Sequence, residues 1–305
     1  VTQAEANAIH GSLWGTQGTP NLFEYWIGAA YDPNRHQMHF TGGGHGAYEG
    51  NEVYTIDFDD LTLKRNTNPY PLTLTTPGGD AHPSKGIRAE HTYSAITYAP
   101  NTDEVWITMA GAQTYDDETI AGIWKPSTGD YIPNAEVLAS FGWNTFGHPY
   151  NSSCYNDQDG KIYLFQMRNQ LGDVRRIDPV ARTVTTLQSN QLGFEDNGGI
   201  VCYGNAAYML TKEGNCGSSC TYRFRRYNVA TNNWTILNSL TCNPTCGAGT
   251  MPALPIQMGC DVRPIGNEIV CWTLRNTIWR YNLTGGTWSS STPGGTPSPS
   301  DPFSD

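Results

Sequence analysis

The residues of this chain best suited to chemistry are histidines, tyrosines and an arginine that lie beside glycines or acids. The stretches "GGGHGAYEG" and "RAEH" supply four of them, which are His45, Tyr48, Arg88 and His91, and the acid Glu90 is a fifth candidate. A polysaccharide lyase acting on uronates needs a cation to neutralise the carboxylate and a His or Tyr to remove and return a proton. The residue types therefore suit lyase chemistry, although polar ligand binding needs the same groups.

Other chemistries have weaker support. A Ser-His-Asp hydrolase needs a nucleophile elbow, and the sequence contains no G-x-S-x-G. A glycosidase needs two carboxylates around one bond, and the loops offer acids without a spacing signature. "GGGHG" lacks the lysine of a phosphate loop and no helix follows it, which argues against nucleotide binding. No histidine spacing supports a metal site or another cofactor.

Binding without catalysis requires less, namely aromatic faces for sugar or peptide with hydrogen-bonding groups around them. The candidates that add to the first five are Tyr115, Trp143, His148 and Tyr150. A bend alone explains Gly42 to Gly44, and Arg88 and His91 bonded to loop carbonyls would be a purely structural alternative. We interpret the set as a ligand-binding site, with a secreted lyase or glycosidase as the alternative.

Composition defines the fold class and excludes some partners. The chain has Gly 33, Pro 19, Tyr 17 and Trp 9, residues of turns and pleated surfaces, and only 15% charged residues. This predicts an all-β protein. A net charge of -10 opposes binding to a phosphate backbone, so nucleic acid is not an expected partner. No run of about 18 apolar residues is present, so no membrane insertion is expected.

The cysteines predict disulfides and therefore an oxidising environment. "CGSSC" and "CNPTC" have three intervening residues and no nearby histidine, which favours disulfides over zinc. Cys260 and Cys271 flank a Pro-Ile-Gly-Asn turn, so we predict that they bond across a hairpin. Stable disulfides indicate an oxidising compartment or an extracellular particle. The eight cysteines are Cys154, Cys202, Cys216, Cys220, Cys242, Cys246, Cys260 and Cys271.

An internal repeat predicts the architecture. Segments such as "NEVYTIDFDDLTLKR", "DVRRIDPVARTVTTL" and "RFRRYNVATNNWTIL" share a strand, a short polar turn and a strand, and another hairpin precedes each. Four-stranded units of about 40 to 50 residues are typical of propeller blades. We predict a β-propeller of five blades within 25–291, or six if residues 1–24 contribute more than a closing strand. The expected blades are 25–66, 92–134, 150–189, 198–238 and 257–291.

A family resemblance adds to this prediction. "FTGGG" closing a second strand, followed by "NEVYTIDFDDLTLKR", resembles the kelch repeat with its diglycine and spaced aromatic. The stretch through "RAEHTYSAITYAPNTDEVW" is similar to exported bacterial and phage-borne kelch-like proteins of unassigned activity. The detailed likeness covers about residues 25 to 125. It implies a propeller and leaves the reaction open.

The predicted topology places the candidate site. Turns within the hairpins are short, whereas the connections 67–91, 135–149 and 239–256 are long and meet at the other face. Long loops on a rigid scaffold usually carry binding. The Pro/Ser/Thr/Gly-rich stretch 292–305 predicts a linker or tail, so further modules or copies of the chain are expected partners. We interpret the chain as an acidic, extracellular adhesion or receptor-binding module for glycan or surface protein, at a cell surface or as a virion component.

Overall fold

The computed structural model describes eleven parts of the chain. They are residues 28–41, 52–67, 92, 94–108, 122–132, 152–165, 173–189, 196–213, 220–242, 259–273 and 277–292. Within them, twenty β-strands form five four-stranded sheets, and the only helical element is a 3₁₀ turn, Pro264–Gly266. The sheets are arranged as a five-bladed β-propeller, as the repeat predicted. The expected extensions 1–24 and 292–305 lie outside the described residues, except for Thr292, and stay predictions.

Each blade is built from consecutive strands that pair in antiparallel, up-and-down order. Blade 1 contains β1 (Gly28–Asp32), β2 (Gln37–Thr41), β3 (Tyr54–Asp57) and β4 (Thr62–Arg65). Blade 2 contains β5 (Ile96–Ala99), β6 (Glu104–Ile107), β7 (Gly122–Lys125) and β8 (Asp130–Tyr131). Blade 3 contains β9 (Ser152–Asn156), β10 (Lys161–Phe165), β11 (Val174–Asp178) and β12 (Thr183–Gln188).

The last two blades follow the same order. Blade 4 contains β13 (Asp196–Tyr203), β14 (Ala206–Glu213), β15 (Cys220–Asn228) and β16 (Asn233–Cys242). Blade 5 contains β17 (Gly259–Arg263), β18 (Glu268–Thr273), β19 (Thr277–Asn282) and β20 (Thr287–Ser291). The first strand of each blade contacts the first strand of the next, from β1 to β17, which places these strands innermost.

Apolar clusters fill the interfaces between consecutive blades, because alternate residues of each strand point to opposite faces of its sheet. Between blades 2 and 3, Trp106 and Ile123 pack against Ile162, Leu164 and Ile177. Comparable clusters join blade 1 to 2, blade 3 to 4 and blade 4 to 5. Within the described residues, no such cluster joins blade 5 to blade 1.

The ten hairpin turns share a backbone design. Each has one residue of positive φ, and six of these residues are not glycine, for example Arg182 at 55° and Asn232 at 55°. In several turns an Asp or Asn at the strand end accepts an N–H from two residues further on, as Asp178 Oδ1 does from Val180 at 3.0 Å. Asp and Asn stabilise turns in this way. This chemistry produces the strand, polar turn and strand that recur in the sequence.

Two disulfides are present in the described residues. Cys260 and Cys271 are register partners in β17 and β18 and are bonded, which confirms the predicted bridge. Cys154 and Cys202 join β9 to β13, so this disulfide connects the innermost strands of blades 3 and 4. Neither spacing nor turn chemistry had indicated this second pairing, because it depends on how two blades dock.

Among the described strands, those of blade 4 are the longest, which makes this blade taller than the others. Its strands are 8, 8, 9 and 10 residues long, whereas those of blade 2 are 4, 4, 4 and 2. They run from residue 196 to residue 242, beyond the limits 198–238 expected from the repeat. The β15–β16 turn resembles the others in size. The additional length therefore extends away from the turns.

Candidate functional site

The propeller has two ends of different character. The turns between the first and second strands, and between the third and fourth strands, of every blade emerge at what we call the short-turn end. Connections from the second to the third strand, and from the fourth strand to the next blade, start and finish at the opposite, long-loop end. The predicted division of the chain into short and long connections corresponds to these two ends.

All nine ligand-binding candidates lie outside the described residues and stay predictions. By chain order they belong to connections that begin and finish at the long-loop end. The structure therefore describes the strands that flank them, and not whether they converge. The nine are His45, Tyr48, Arg88, Glu90, His91, Tyr115, Trp143, His148 and Tyr150.

Buried hydroxyl groups join the inner strands of blades 1 to 3 near the long-loop end. The Gly28 N–H donates to Thr92 Oγ1 at 2.7 Å, and the Thr92 hydroxyl donates to the Thr41 carbonyl at 2.9 Å. Thr97 Oγ1 and Ser153 Oγ lie 2.7 Å apart across the interface of blades 2 and 3. These contacts hold neighbouring blades in a fixed relation beneath the connections that carry the candidates.

An acid, an imidazole and a hydroxyl also meet between blades 1 and 2. His39 Nδ1 is 2.7 Å from Thr55 Oγ1, and His39 Nε2 is 3.7 Å from Asp32 Oδ2. His39 is only 1% exposed and its ring packs 4.8 Å from that of Trp124. Burial lowers the pKa of His39 to about 4, against the opposing attraction of Asp32. These side chains are buried and the His39 ring contacts Trp124 of blade 2, so we assign the group a structural role at the interface of blades 1 and 2.

Ion pairs connect blades at the short-turn end. Arg35, in the β1–β2 turn, donates to Asp32 at 2.7 Å and to both Asp103 carboxylate oxygens at 2.6 and 2.9 Å. Burial raises the pKa of Asp103, but hydrogen bonds from Arg35, Ser127 and Tyr98 outweigh it and lower this pKa to about 2. The Arg35–Asp103 ion pair thus connects the β1–β2 turn of blade 1 to the β5–β6 turn of blade 2.

A second ion pair does the same for blades 2 and 3. Arg182 Nη1 donates to Glu104 Oε2 at 2.9 Å, and its Nη2 donates to Glu104 Oε1. The guanidinium carbon also lies 5.1 Å from the Trp106 ring centroid. Glu104 is buried, so its charge needs this partner. We assign the cluster a structural role.

A cluster of two arginines, one glutamate and one threonine lies at the long-loop end of blade 4. Arg223 Nε donates to Glu213 Oε2 at 2.8 Å, and Arg225 Nη2 donates to Glu213 Oε1. Arg225 is buried and its Nε donates to Thr211 Oγ1 at 3.0 Å. Burial lowers the pKa of Arg225 to about 10, which leaves it charged at neutral pH. We call Thr211, Glu213, Arg223 and Arg225 the arginine cluster.

Among the described side chains of the arginine cluster, two guanidinium groups donate to one carboxylate. Arg225 is fixed by the interior, whereas the Arg223 side chain is 30% exposed. Such a pair suits a carboxylate or sulfate ligand, because guanidinium donors match planar or tetrahedral oxyanions. Sequence reasoning missed these residues. The signal was present in "RFRR", where arginines two apart in a strand share a face.

Metal-binding and membrane-spanning features are missing from the described part of the chain. Three or more potential metal ligands do not come together anywhere in it. It also contains no helix with the length and apolar character needed to cross a bilayer.

Comparisons with known proteins establish the fold only. No protein-family model matches this sequence, and no curated protein is significantly similar to it. TolB from Acinetobacter baumannii is 13% identical over 87% of this chain, with a TM-score of 0.51, and the chain spans about half, 53%, of that TolB chain. Hydrazine synthase of Kuenenia stuttgartiensis is 8% identical over 84% of this chain and 64% of its own, with a TM-score of 0.49. A chain of the nidogen/laminin complex is 9% identical, and the match covers 88% of this chain and 80% of that chain, with a TM-score of 0.47.

Proposed function

We propose that this protein is an extracellular, kelch-like propeller that binds an acidic glycan at its long-loop end and so serves in attachment at a cell surface or on a virion. The observation that carries the proposal is the arginine cluster, which lies at this end of the tallest blade. The nine ligand-binding candidates belong to connections at the same end, and aromatic and histidine side chains there would complete a glycan surface.

Local charge supports an anionic ligand. The chain has a net charge of -10, so a general attraction for polyanions is not expected. The described side chains of the arginine cluster differ from this average, because they comprise two guanidinium groups, Arg223 and Arg225, and one carboxylate, Glu213. Glu213 orients Arg223 through its Nε and leaves the two Nη groups without a carboxylate partner among the described residues. A uronate or sulfate group has the geometry and charge to bind them.

The scaffold supports binding as well. Interblade hydrogen bonds, two interblade ion pairs and the Cys154–Cys202 disulfide fix the blades against one another. A rigid scaffold that presents loops loses little entropy when a ligand binds. The two disulfides are also consistent with an oxidising compartment, which agrees with an extracellular role.

A glycan array with uronate-containing, sulfated and neutral glycans tests the proposal. We expect the acidic glycans to bind and Arg223→Gln to weaken binding roughly tenfold, because one charge-assisted hydrogen bond contributes about 1.5 to 3 kcal/mol. Arg226→Gln is the matched control, since Arg226 is in the same strand and donates to Asn205 near the short-turn end. Binding of neutral glycans only, or an equal loss of affinity for acidic glycans in the two variants, would contradict the proposal.

The same samples test the enzymatic alternative. Ultraviolet absorbance detects the unsaturated uronate that a lyase leaves on its product. We expect no increase in absorbance when the protein is incubated with a bound uronate polymer. A sustained increase would replace the attachment role by lyase activity at this end.

A further inference from the structure

The register of β15 and β16 points to how the four remaining cysteines pair. Cys220 and Cys242 are direct partners in this antiparallel ladder, at the end where it projects furthest. From Phe224 outward the register is regular, after a bulge between Phe224 and Arg225. Cys216 precedes Cys220 by four residues and Cys246 follows Cys242 by four. Counting outward from the Cys220 and Cys242 pair in equal steps, position 216 corresponds to position 246.

The molecule itself contains a bonded pair in this relation. Cys260 and Cys271 are register partners in β17 and β18 and form a disulfide, with a Cα–Cα distance of 4.1 Å. Direct partners in an antiparallel ladder are about 4.5 to 5.5 Å apart, close to the range that disulfides span. Residues four apart in a strand share a face, so two such bridges would lie on the same side of the hairpin.

We propose that Cys220 bonds to Cys242 and Cys216 to Cys246, forming two stacked cross-strand disulfides that brace the projecting end of blade 4. The alternative is local pairing within "CGSSC" and "CNPTC". Local bridges would close two small loops and leave the strands unlinked, whereas the cross-strand bridges join β15 to β16 twice.

The chemistry of formation is an ordinary oxidation. Each bridge forms one S–S bond from two thiols, which together lose two protons and two electrons. The electron acceptor is a thiol–disulfide oxidoreductase or a small-molecule disulfide of the oxidising compartment, which is itself reduced to thiols.

The bridges would also support the arginine cluster, a consequence that rests on the proposed function. By strand alternation, position 220 shares a face with Tyr222 and Phe224, which pack toward blade 5. Arg223 is on the opposite face of the same hairpin. A hairpin with two bridges holds Arg223 in one position, so ligand binding should weaken when these bridges are removed.

A tryptic map of the unreduced, alkylated full chain tests the pairing without any ligand. Cleavage after Lys212 and Arg223 yields peptide 213–223 with Cys216 and Cys220, and cleavage after Arg226 and Arg275 yields peptide 227–275 with Cys242 and Cys246. We expect the two peptides to remain linked until a reductant is added. Release of peptide 213–223 without reduction, either internally bridged or carrying alkylated thiols, would overturn the proposal.

Paired substitutions then distinguish the proposed pairing from the other cross-strand pairing, in which Cys220 bonds to Cys246 and Cys216 bonds to Cys242. In Cys220→Ala/Cys242→Ala, the remaining pair stays bonded, so we expect no alkylated thiol and peptides that are still linked. Cys220→Ala/Cys246→Ala is the mismatched control, in which one partner of each bridge is lost and two thiols should alkylate. The reverse pattern would disprove the assignment and leave the proposed glycan binding to be judged by the Arg223 variant alone.

Discussion

Blades 2 and 5 have the same topology and different surroundings. In blade 2 every residue of β5 and β6 is buried, because blade 1 covers one face and blade 3 covers the other. In blade 5, Ile269, Cys271 and Tyr281 pack against blade 4, while Trp272 on the other face is 51% exposed. A blade between two neighbours therefore has a core on both faces, whereas the described residues form a core on only one face of blade 5.

The sequences of the two blades reflect this difference. "EVWI" of β6 is nearly continuous in large apolar residues, whereas "GCDVR" of β17 alternates between polar and apolar residues. Continuous apolar strands are typical of sheets covered on both sides. Each described sheet is also made of consecutive strands, so none combines the two ends of the sequence to close the ring. Among the described residues, no apolar cluster packs on the face of blade 5 that carries Trp272.

The largest predicted effect is at Trp106 in blade 2. This side chain is 0% exposed, it packs against blade 3, and its Nε1 donates to Glu104 at 3.2 Å. We expect Trp106→Ala to lower the free energy of unfolding by about 3 to 5 kcal/mol through loss of burial and creation of a cavity. Denaturant unfolding followed by circular dichroism measures it. A loss below about 1 kcal/mol would contradict two-sided packing of blade 2.

The disulfides give the next comparison. The cysteines of Cys154–Cys202 are separated by 48 positions in the sequence, and those of Cys260–Cys271 are separated by 11. From loop-closure entropy we expect removal by paired alanines to cost about 4 kcal/mol for the first and about 3 kcal/mol for the second. The first should also loosen the contact between blades 3 and 4, whereas the second acts within one hairpin of blade 5. Amide hydrogen exchange in β9 and β13 distinguishes the two variants, because only removal of Cys154–Cys202 should accelerate it. Faster exchange in these strands in the Cys260/Cys271 variant would contradict this prediction.

His39 predicts a pH dependence of the interface between blades 1 and 2. Its pKa is about 4 in the folded protein, against an ordinary value of 6.5, so the unfolded chain binds the proton more tightly. The associated stability is complete above about pH 6.5 and is lost as the pH falls toward 4, by about 3 kcal/mol in all. His39→Gln should flatten the unfolding free energy between about pH 6.5 and 4. An unchanged slope would show that another group titrates in this window.

The smallest predicted effect is at Trp272 in blade 5. Because half of this side chain is exposed, we expect Trp272→Ala to change the unfolding free energy by about 1 kcal/mol or less. The measurement is the same denaturant series as for Trp106→Ala, so each variant serves as the control for the other. Equal losses of unfolding free energy in the two variants would show that the face of blade 5 that carries Trp272 is covered in solution. The contrast between the two blades would then disappear.

Much of the fold was predictable because it depends on local chemistry. The Asp or Asn that begins a turn, such as Asp178, is read directly from the sequence as part of a short polar turn, whereas the positive φ four positions later, at Arg182, is known from the structure. These turn residues determine where hairpins form, and hairpins that recur at regular spacing indicate propeller blades. The Cys260–Cys271 bridge was predictable for the same reason, since one short turn brings the two cysteines together. The candidate site was predicted only as an end of the propeller, and its nine residues stay predictions.

What only the tertiary structure decided involves partners far apart in the sequence. Cys154 meets Cys202, Arg182 meets Glu104, and Arg35 meets Asp103 because neighbouring blades dock in one orientation. The sequence alone determined an all-β chain of repeated hairpins, since turn residues and strand periodicity act over a few positions. It did not determine the height of blade 4 or the arginine cluster that this blade supports. Those follow from the register of long strands and from burial between sheets, where the free energy depends on the packing of the whole molecule.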